Sequence, residues 1–144
     1  MIKKVEHIGV AVKSIDESIH LFRDILGIPL DRMYESDVIK TKIAFFPVGG
    51  CTIELIEPMD PESPAGKFIQ KRGEGIHHLC LGVENVEAAL RHYESQGIEL
   101  LNKTPRKTED GRIIAFLNPK STNGVLIELE EIGAVALIVN DVEI

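Results

Sequence analysis

An internal duplication constrains this chain more than any other feature. Val5-Glu6-His7-Ile8-Gly9-Val10-Ala11-Val12 lines up with Ile76-His77-His78-Leu79-Cys80-Leu81-Gly82-Val83 at an offset of 71 residues. The match runs on from Ser14 to Phe22 against Asn85 to Tyr93. Gly27-Ile28-Pro29-Leu30 repeats as Gly97-Ile98-Glu99-Leu100, and Ile43-Ala44-Phe45-Phe46 as Ile114-Ala115-Phe116-Leu117. Gly50 to Leu55 repeats as Gly124 to Leu129 at an offset of 74. A supersecondary unit present twice must bury each copy's apolar face in the same way. The chain therefore divides into module one (1–58), a connector (59–74), module two (75–131) and a C-terminal extension (132–144), within a single domain.

Each module reads as strand, helix and three strands. Residues 5–12 alternate, with Ile8, Val10 and Val12 on one face and His7, Gly9 and Ala11 on the other. Ser14-Ile15-Asp16-Glu17 has the form of a capping box, followed by a stripe of Ile15, Ile19 and Phe22 at helical spacing. Asn85 opens the equivalent helix, with Val86, Leu90 and Tyr93 as its stripe. Second strands are expected over 28–35 and 98–104, and third and fourth strands over 38–46 and 51–57, then 112–117 and 125–131. Pro58 to Pro64 is turn-rich, and a short helix is expected from Ala65 to Arg72. The fold class is α+β: two βαβββ modules forming a cupped, eight-stranded mixed or antiparallel sheet. The apolar stretch Gly133 to Val139 has no counterpart in module one and is expected to add an edge strand or pack on another subunit.

The duplication also pairs the residues that can carry chemistry. His7 matches His78 in the first strand of each module, and Glu54 matches Glu128 in the last. Two imidazoles and two carboxylates, delivered twice by one motif, suit a divalent ion such as Co²⁺, Ni²⁺, Zn²⁺, Mn²⁺ or Fe²⁺ with positions left for substrate. His77 competes with His78, but strand alternation turns it to the other face. His20 and His92 fall on helices and read as solvated. Cys80 shares a face with His78 and reads as a packing thiol. Glu57, Glu130 and Glu131 read as strand-end or surface charges.

Composition narrows the function. Sixteen Lys and Arg against 23 Asp and Glu leave a net charge of −7, which argues against a general nucleic-acid binder. The longest apolar run, Ala134 to Val139, is far short of a membrane span. The N-terminal residues show no signal-peptide pattern, and two cysteines outside any CxxC motif suit a reducing cytoplasm.

The paired βαβββ modules with their His, Glu, His, Glu set resemble the vicinal oxygen chelate superfamily, and within it the methylmalonyl-CoA epimerase family. The stretches that carry the likeness are His7 to Val12, Ala44 to Gly49, Ile53 to Pro58, Lys67 to His78 and Pro119 to Leu129. The last two are distinctive of the epimerases, whereas glyoxalase I shares the ligand quartet. The resemblance implies a metal held by His7, Glu54, His78 and Glu128, with Co²⁺ first and Zn²⁺, Ni²⁺ or Mn²⁺ as others. It implies a small-molecule acyl-CoA substrate and a homodimer. It also implies a reaction in which the C2 proton is removed between a thioester and a carboxylate and returned on the opposite face. That chemistry asks for two acid/base groups. The resemblance gives one role to Glu128, as ligand and base. In some members the second is a carboxylate on the third strand, a position aligned here with Lys42. The basic segment 101–124, net +3, is a candidate for holding the CoA phosphates. Three other functions compete. They are a glyoxalase I-type lactoylglutathione lyase, a ring-cleaving dioxygenase with two His and one carboxylate, and a non-catalytic binder. The fourth ligand weighs against the last two.

Overall fold

The computed structural model describes residues 1–133. The expected strand or subunit contact of Gly133 to Val139 falls, beyond Gly133, outside them. The chain separates into two compact units. One is His7–His77, and the other joins residues 1–6 to the described part of 78–144. The connector thus folds with module one.

Module one contains β1 (Ile2–Ala11), α1 (Ile15–Ile19), β2 (Arg32–Ser36), β3 (Thr41–Val48), β4 (Cys51–Pro58) and, from the connector, α2 (Pro64–Arg72). Past Ile19 the first helix continues as wider π-type turns from His20 to Ile25. Its start is set locally, because the Ser14 hydroxyl accepts the Glu17 amide at 3.2 Å. Gly49 and Gly50 both have positive φ, 54° and 81°, so the β3–β4 hairpin closes in a two-residue turn that favours glycine.

The strand order in this module is β2-β3-β4-β1, antiparallel except for the β4–β1 pair. Register then decides which residues share a face, because residues opposite one another on neighbouring strands point the same way. Arg32, Phe45, Glu54 and Gly9 form one row, and Met33, Ala44, Leu55 and Val10 form the row behind it. The second face packs Val12, Ala44, Phe46 and Leu55 against Ile15, Ile19 and Phe22 of the first helix. The first face packs Ala11, Ile43, Phe45 and Ile56 against Ala65, Phe68 and Ile69 of α2. Gly66 lets the Asp60–Pro61 turn lie close against α2, since a Cβ there would lie 2.5 Å from the Pro61 carbonyl oxygen.

Module two contains β5 (Gly75–Val83), α3 (Val86–Ser95), β6 (Arg106–Lys107), β7 (Ile113–Leu117) and β8 (Ile127–Glu131), ordered β5-β8-β7-β6. Asn85 caps α3 through the Ala88 amide at 2.8 Å. The helix packs Val86, Ala89 and Leu90 on Ala115, Leu117 and Leu129. β5 and β8 run parallel, and the other pairs are antiparallel. With eight strands in mixed pairing and helices between them, the α+β class and its repeated order hold.

Three local expectations change. β2 starts at Arg32, not Ile28, because Ile28 donates to the Phe22 carbonyl in closing the helix and Pro29 has no donor. Residues 98–104 make only a bridge between Leu100 and Leu117. There the Asn102 carboxamide oxygen accepts the Phe116 amide at 2.7 Å, so a side chain replaces a ladder bond, and pairing resumes only past Pro105. Glu57 and Glu131 are not idle strand-end charges. Glu57 accepts the Ile15 amide at 2.7 Å and Glu131 the Val86 amide at 3.0 Å, each at the N-terminus of its module's helix.

Candidate metal centre

The candidate donor residues occupy equivalent places in the two modules. In module one, His7 on β1 and Glu54 on β4 share a face, and Nδ1 lies 2.8 Å from Oε2. In module two, His78 on β5 and Glu128 on β8 stand with Nε2 3.2 Å from Oε1. All four side chains are withdrawn from water, at 1%, 5%, 8% and 5% relative exposure in that order. Each last strand that carries a donor glutamate also anchors a helix three residues later, through Glu57 or Glu131. The donor strand is therefore held at its end as well as along its ladder.

The spacings fit a cation. Two ligands about 2.0–2.2 Å from one six-coordinate ion are roughly 2.8–3.1 Å apart along a shared edge. The His7–Glu54 separation agrees with such an edge, and the His78–Glu128 separation is about 0.1 Å longer. Neutral imidazole and ionised carboxylate are donors for a divalent first-row metal. A buried carboxylate is costly without a partner, and a cation shared with the imidazole offsets that cost.

Aromatic rings flank both pairs. Phe45 is the cross-strand neighbour of Glu54, and Phe116 that of Glu128. The Phe116 ring meets the His78 ring edge-on at 6.2 Å between centroids. Over Phe45 the Arg32 guanidinium stacks at 4.0 Å from the ring centre. The two phenylalanines occupy matched places in the duplication, so the repeat already carried the clue to their shared role. These rings lower the polarity around the donors, which strengthens every charge interaction there.

Lys42, aligned by the resemblance with the second acid/base position, stands on the other face of its strand from Phe45 and Glu54. It pairs in register with Glu57 and Glu35, on the face of Ala44 and Phe46, opposite the face of Phe45 and Glu54. Its Nζ lies 3.8 Å from Glu35 and 3.9 Å from Glu57. The face of Glu54 receives Thr41 and Ile43 instead. His77 packs its ring edge-on against Phe68 of α2 at 5.0 Å. His20 is exposed beside Asp24, and His92 stacks edge-on with Tyr93. Glu130 is buried and paired with Arg112 at 3.1 Å, and Arg112 also holds Asp110. Burial pushes the Asp110 carboxyl upward, but the Thr108 hydroxyl and Arg112 outweigh it and hold the group below the usual range. Of the basic segment 101–124, Arg112 is thus tied to carboxylates, while Arg106 and Lys107 lie exposed on β6. No disulfide joins Cys51 and Cys80. No helix among the described residues is long and apolar enough to cross a membrane.

Comparison with known proteins identifies relatives of this chain. Residues 6–116 match the Glyoxalase/Bleomycin resistance protein/Dioxygenase superfamily. The ethylmalonyl-CoA/methylmalonyl-CoA epimerase of Cereibacter sphaeroides is 30% identical over 134 residues, covering 92% of this chain and all of that protein. The crystal structure of methylmalonyl-CoA epimerase from Mycobacterium tuberculosis superposes with a TM-score of 0.85 at 33% identity, covering 95% of this chain and 93% of that one. A variant of the Streptomyces coelicolor methylmalonyl-CoA epimerase, in complex with 2-nitronate-propionyl-CoA, gives 0.86 at 28% identity, covering 93% and 97%. These likenesses do not favour the glyoxalase I alternative. Enzymes of this superfamily usually bind a divalent metal, and this chain has His and Glu side chains that could hold one. The chain belongs to the Glyoxalase/Bleomycin resistance protein/Dioxygenase superfamily and, within it, to the methylmalonyl-CoA epimerase family, whose members are enzymes of the racemase and epimerase type.

Proposed function

We propose that this protein is a metal-dependent epimerase that interconverts the (2R) and (2S) forms of methylmalonyl-CoA. The observation that carries the reading is the repeated buried His–Glu pair, His7 with Glu54 and His78 with Glu128, in a chain of the epimerase family. The duplication supports assigning all four residues to one divalent ion, with Co²⁺ the first choice and Zn²⁺, Ni²⁺ or Mn²⁺ alternatives. When bound, the ion supplies a Lewis acid for the negative charge that develops as the C2 proton leaves. Glu128 takes that proton. Phe116, the cross-strand neighbour of Glu128, keeps water from competing for it. Return of a proton to the other face of C2 falls to a group other than Lys42. The same reading makes the protein a cytoplasmic homodimer acting on an acyl-CoA.

The test is C2 proton exchange of methylmalonyl-CoA in D₂O. Exchange and epimerisation are expected with Co²⁺ present, lost with a chelator and restored by added Co²⁺. Full exchange in metal-stripped protein would overturn the metal dependence. No exchange at any metal, with lactoylglutathione formed from the hemithioacetal, would replace the reading by a glyoxalase.

A further inference from the structure

The first residue of β2 departs from the duplication. Phe45 and Phe116 are matched rings, each the register neighbour of its module's candidate donor glutamate. The chain meets both in the same way, since the Asp31 amide donates to the Phe45 carbonyl at 2.9 Å and the Leu101 amide to the Phe116 carbonyl at 3.0 Å. The residues that follow, Arg32 and Asn102, are therefore equivalent. Asn102 turns its side chain to the backbone and accepts the Phe116 amide at 2.7 Å. Arg32 instead carries its guanidinium over the Phe45 ring, 4.0 Å from the ring centre. Module one thus has a cation where module two has a neutral amide.

We propose that Arg32 is a specificity-determining residue, whose guanidinium binds the free carboxylate of the acyl group and so selects malonyl-type acyl-CoA over acyl-CoA without that carboxylate. The inference rests on the epimerase reading. Across the registered rows of β1 to β4 on the face of Glu54, from His7 and Thr52 to Thr41 and Ser36, Arg32 is the one Lys or Arg. A carboxylate brought toward the buried Glu54 of a chain with net charge −7 meets repulsion, which a cation close by offsets. Neighbouring strands lie about 4.8 Å apart, so a guanidinium over Phe45 stands within an acyl group's length of the Glu54 side chain. The phosphates of the substrate are a whole pantetheine arm further away. Contact with the ring steadies the flat guanidinium, and its fork of N–H donors matches the two oxygens of a carboxylate.

The experiment titrates the Co²⁺-loaded full chain calorimetrically with methylmalonyl-CoA and with propionyl-CoA, two ligands that differ by the carboxylate alone. The wild type is expected to bind methylmalonyl-CoA more tightly. Arg32→Ala is expected to weaken methylmalonyl-CoA by about tenfold or more and to leave propionyl-CoA as in the wild type. Arg32→Lys, which keeps the charge but not the fork, should fall between. The urea midpoint of each variant is expected to match the wild type closely, since Arg32 is exposed at the start of its strand. Equal weakening of both ligands overturns the proposal, because it places Arg32 on the phosphates or in the fold. Unchanged binding of both ligands overturns it too and leaves the epimerase reading standing. A wild type that neither binds methylmalonyl-CoA nor exchanges its C2 proton overturns the epimerase reading itself, and the role of Arg32 with it.

Discussion

The Glu57 carboxylate accepts the backbone N–H of Ile15 at 2.7 Å, across 42 residues of chain. It joins the end of a donor strand to the start of the helix packed behind it. Module two repeats the bond with Glu131 and Val86. In both, a negative charge meets the open amides of a helix N-terminus, where it stabilises by roughly 0.3–2 kcal/mol depending on burial. Glu57→Gln should therefore lower unfolding free energy by about 1 kcal/mol. Urea denaturation of the metal-stripped protein reads this directly. An unchanged midpoint would show that the bond adds no net stability.

The metal assignment separates neighbouring histidines. His7→Ala should remove most bound metal, because it deletes a buried donor 2.8 Å from Glu54. His77→Ala should leave metal content near normal, since that ring packs on Phe68. Equal losses in metal content, measured after equilibration with limiting Co²⁺, would refute the choice of His78 over His77.

Glu128 and Lys42 make opposite predictions. Glu128→Gln keeps an oxygen for the metal but cannot accept the C2 proton, so it should remain slow by about 10²- to 10⁴-fold at saturating metal. Glu54→Gln should recover more of its activity as metal is raised. Lys42→Ala should stay within about threefold of wild-type kcat, since the side chain stands on the opposite face, well below the loss expected for a deleted base. A hundredfold loss in Lys42→Ala with intact folding would reinstate it as a base.

Asp110 predicts a pH dependence. Its carboxyl is held below the ordinary range in the folded protein by Thr108 and Arg112, against the upward push of burial. A group whose folded pKa is depressed contributes stability above its unfolded pKa, and that contribution fades as pH falls through the folded one. Asp110→Asn should thus cost stability at pH 7, and the difference from wild type should shrink as pH drops below the ordinary Asp range, about 4. Denaturation curves at several pH values test it. A difference that grows toward acid pH would contradict the assigned direction.

The duplication made much of this protein legible from the amino-acid sequence alone. Alternation with period two, the caps at Ser14 and Asn85 and the matched His and Glu positions are local patterns. They carry the strand and helix order, and they single out four candidate donor residues. What the residues could not decide was register. Which face Lys42 shares depends on how β3 aligns with β4, and that alignment is fixed by hydrogen bonds and packing between segments distant in sequence. Register alone separates Lys42 from Glu54 and places Phe45 and Phe116 beside the donor glutamates. The same holds for Asn102, whose side chain ends a strand that alternation alone would extend, and for Glu57 and Glu131, which look like surface charges until the tertiary structure brings each to a helix terminus. Local pattern determined most of the elements and the candidate donors, and the long-range pairing that only folding supplies decided which side chains meet.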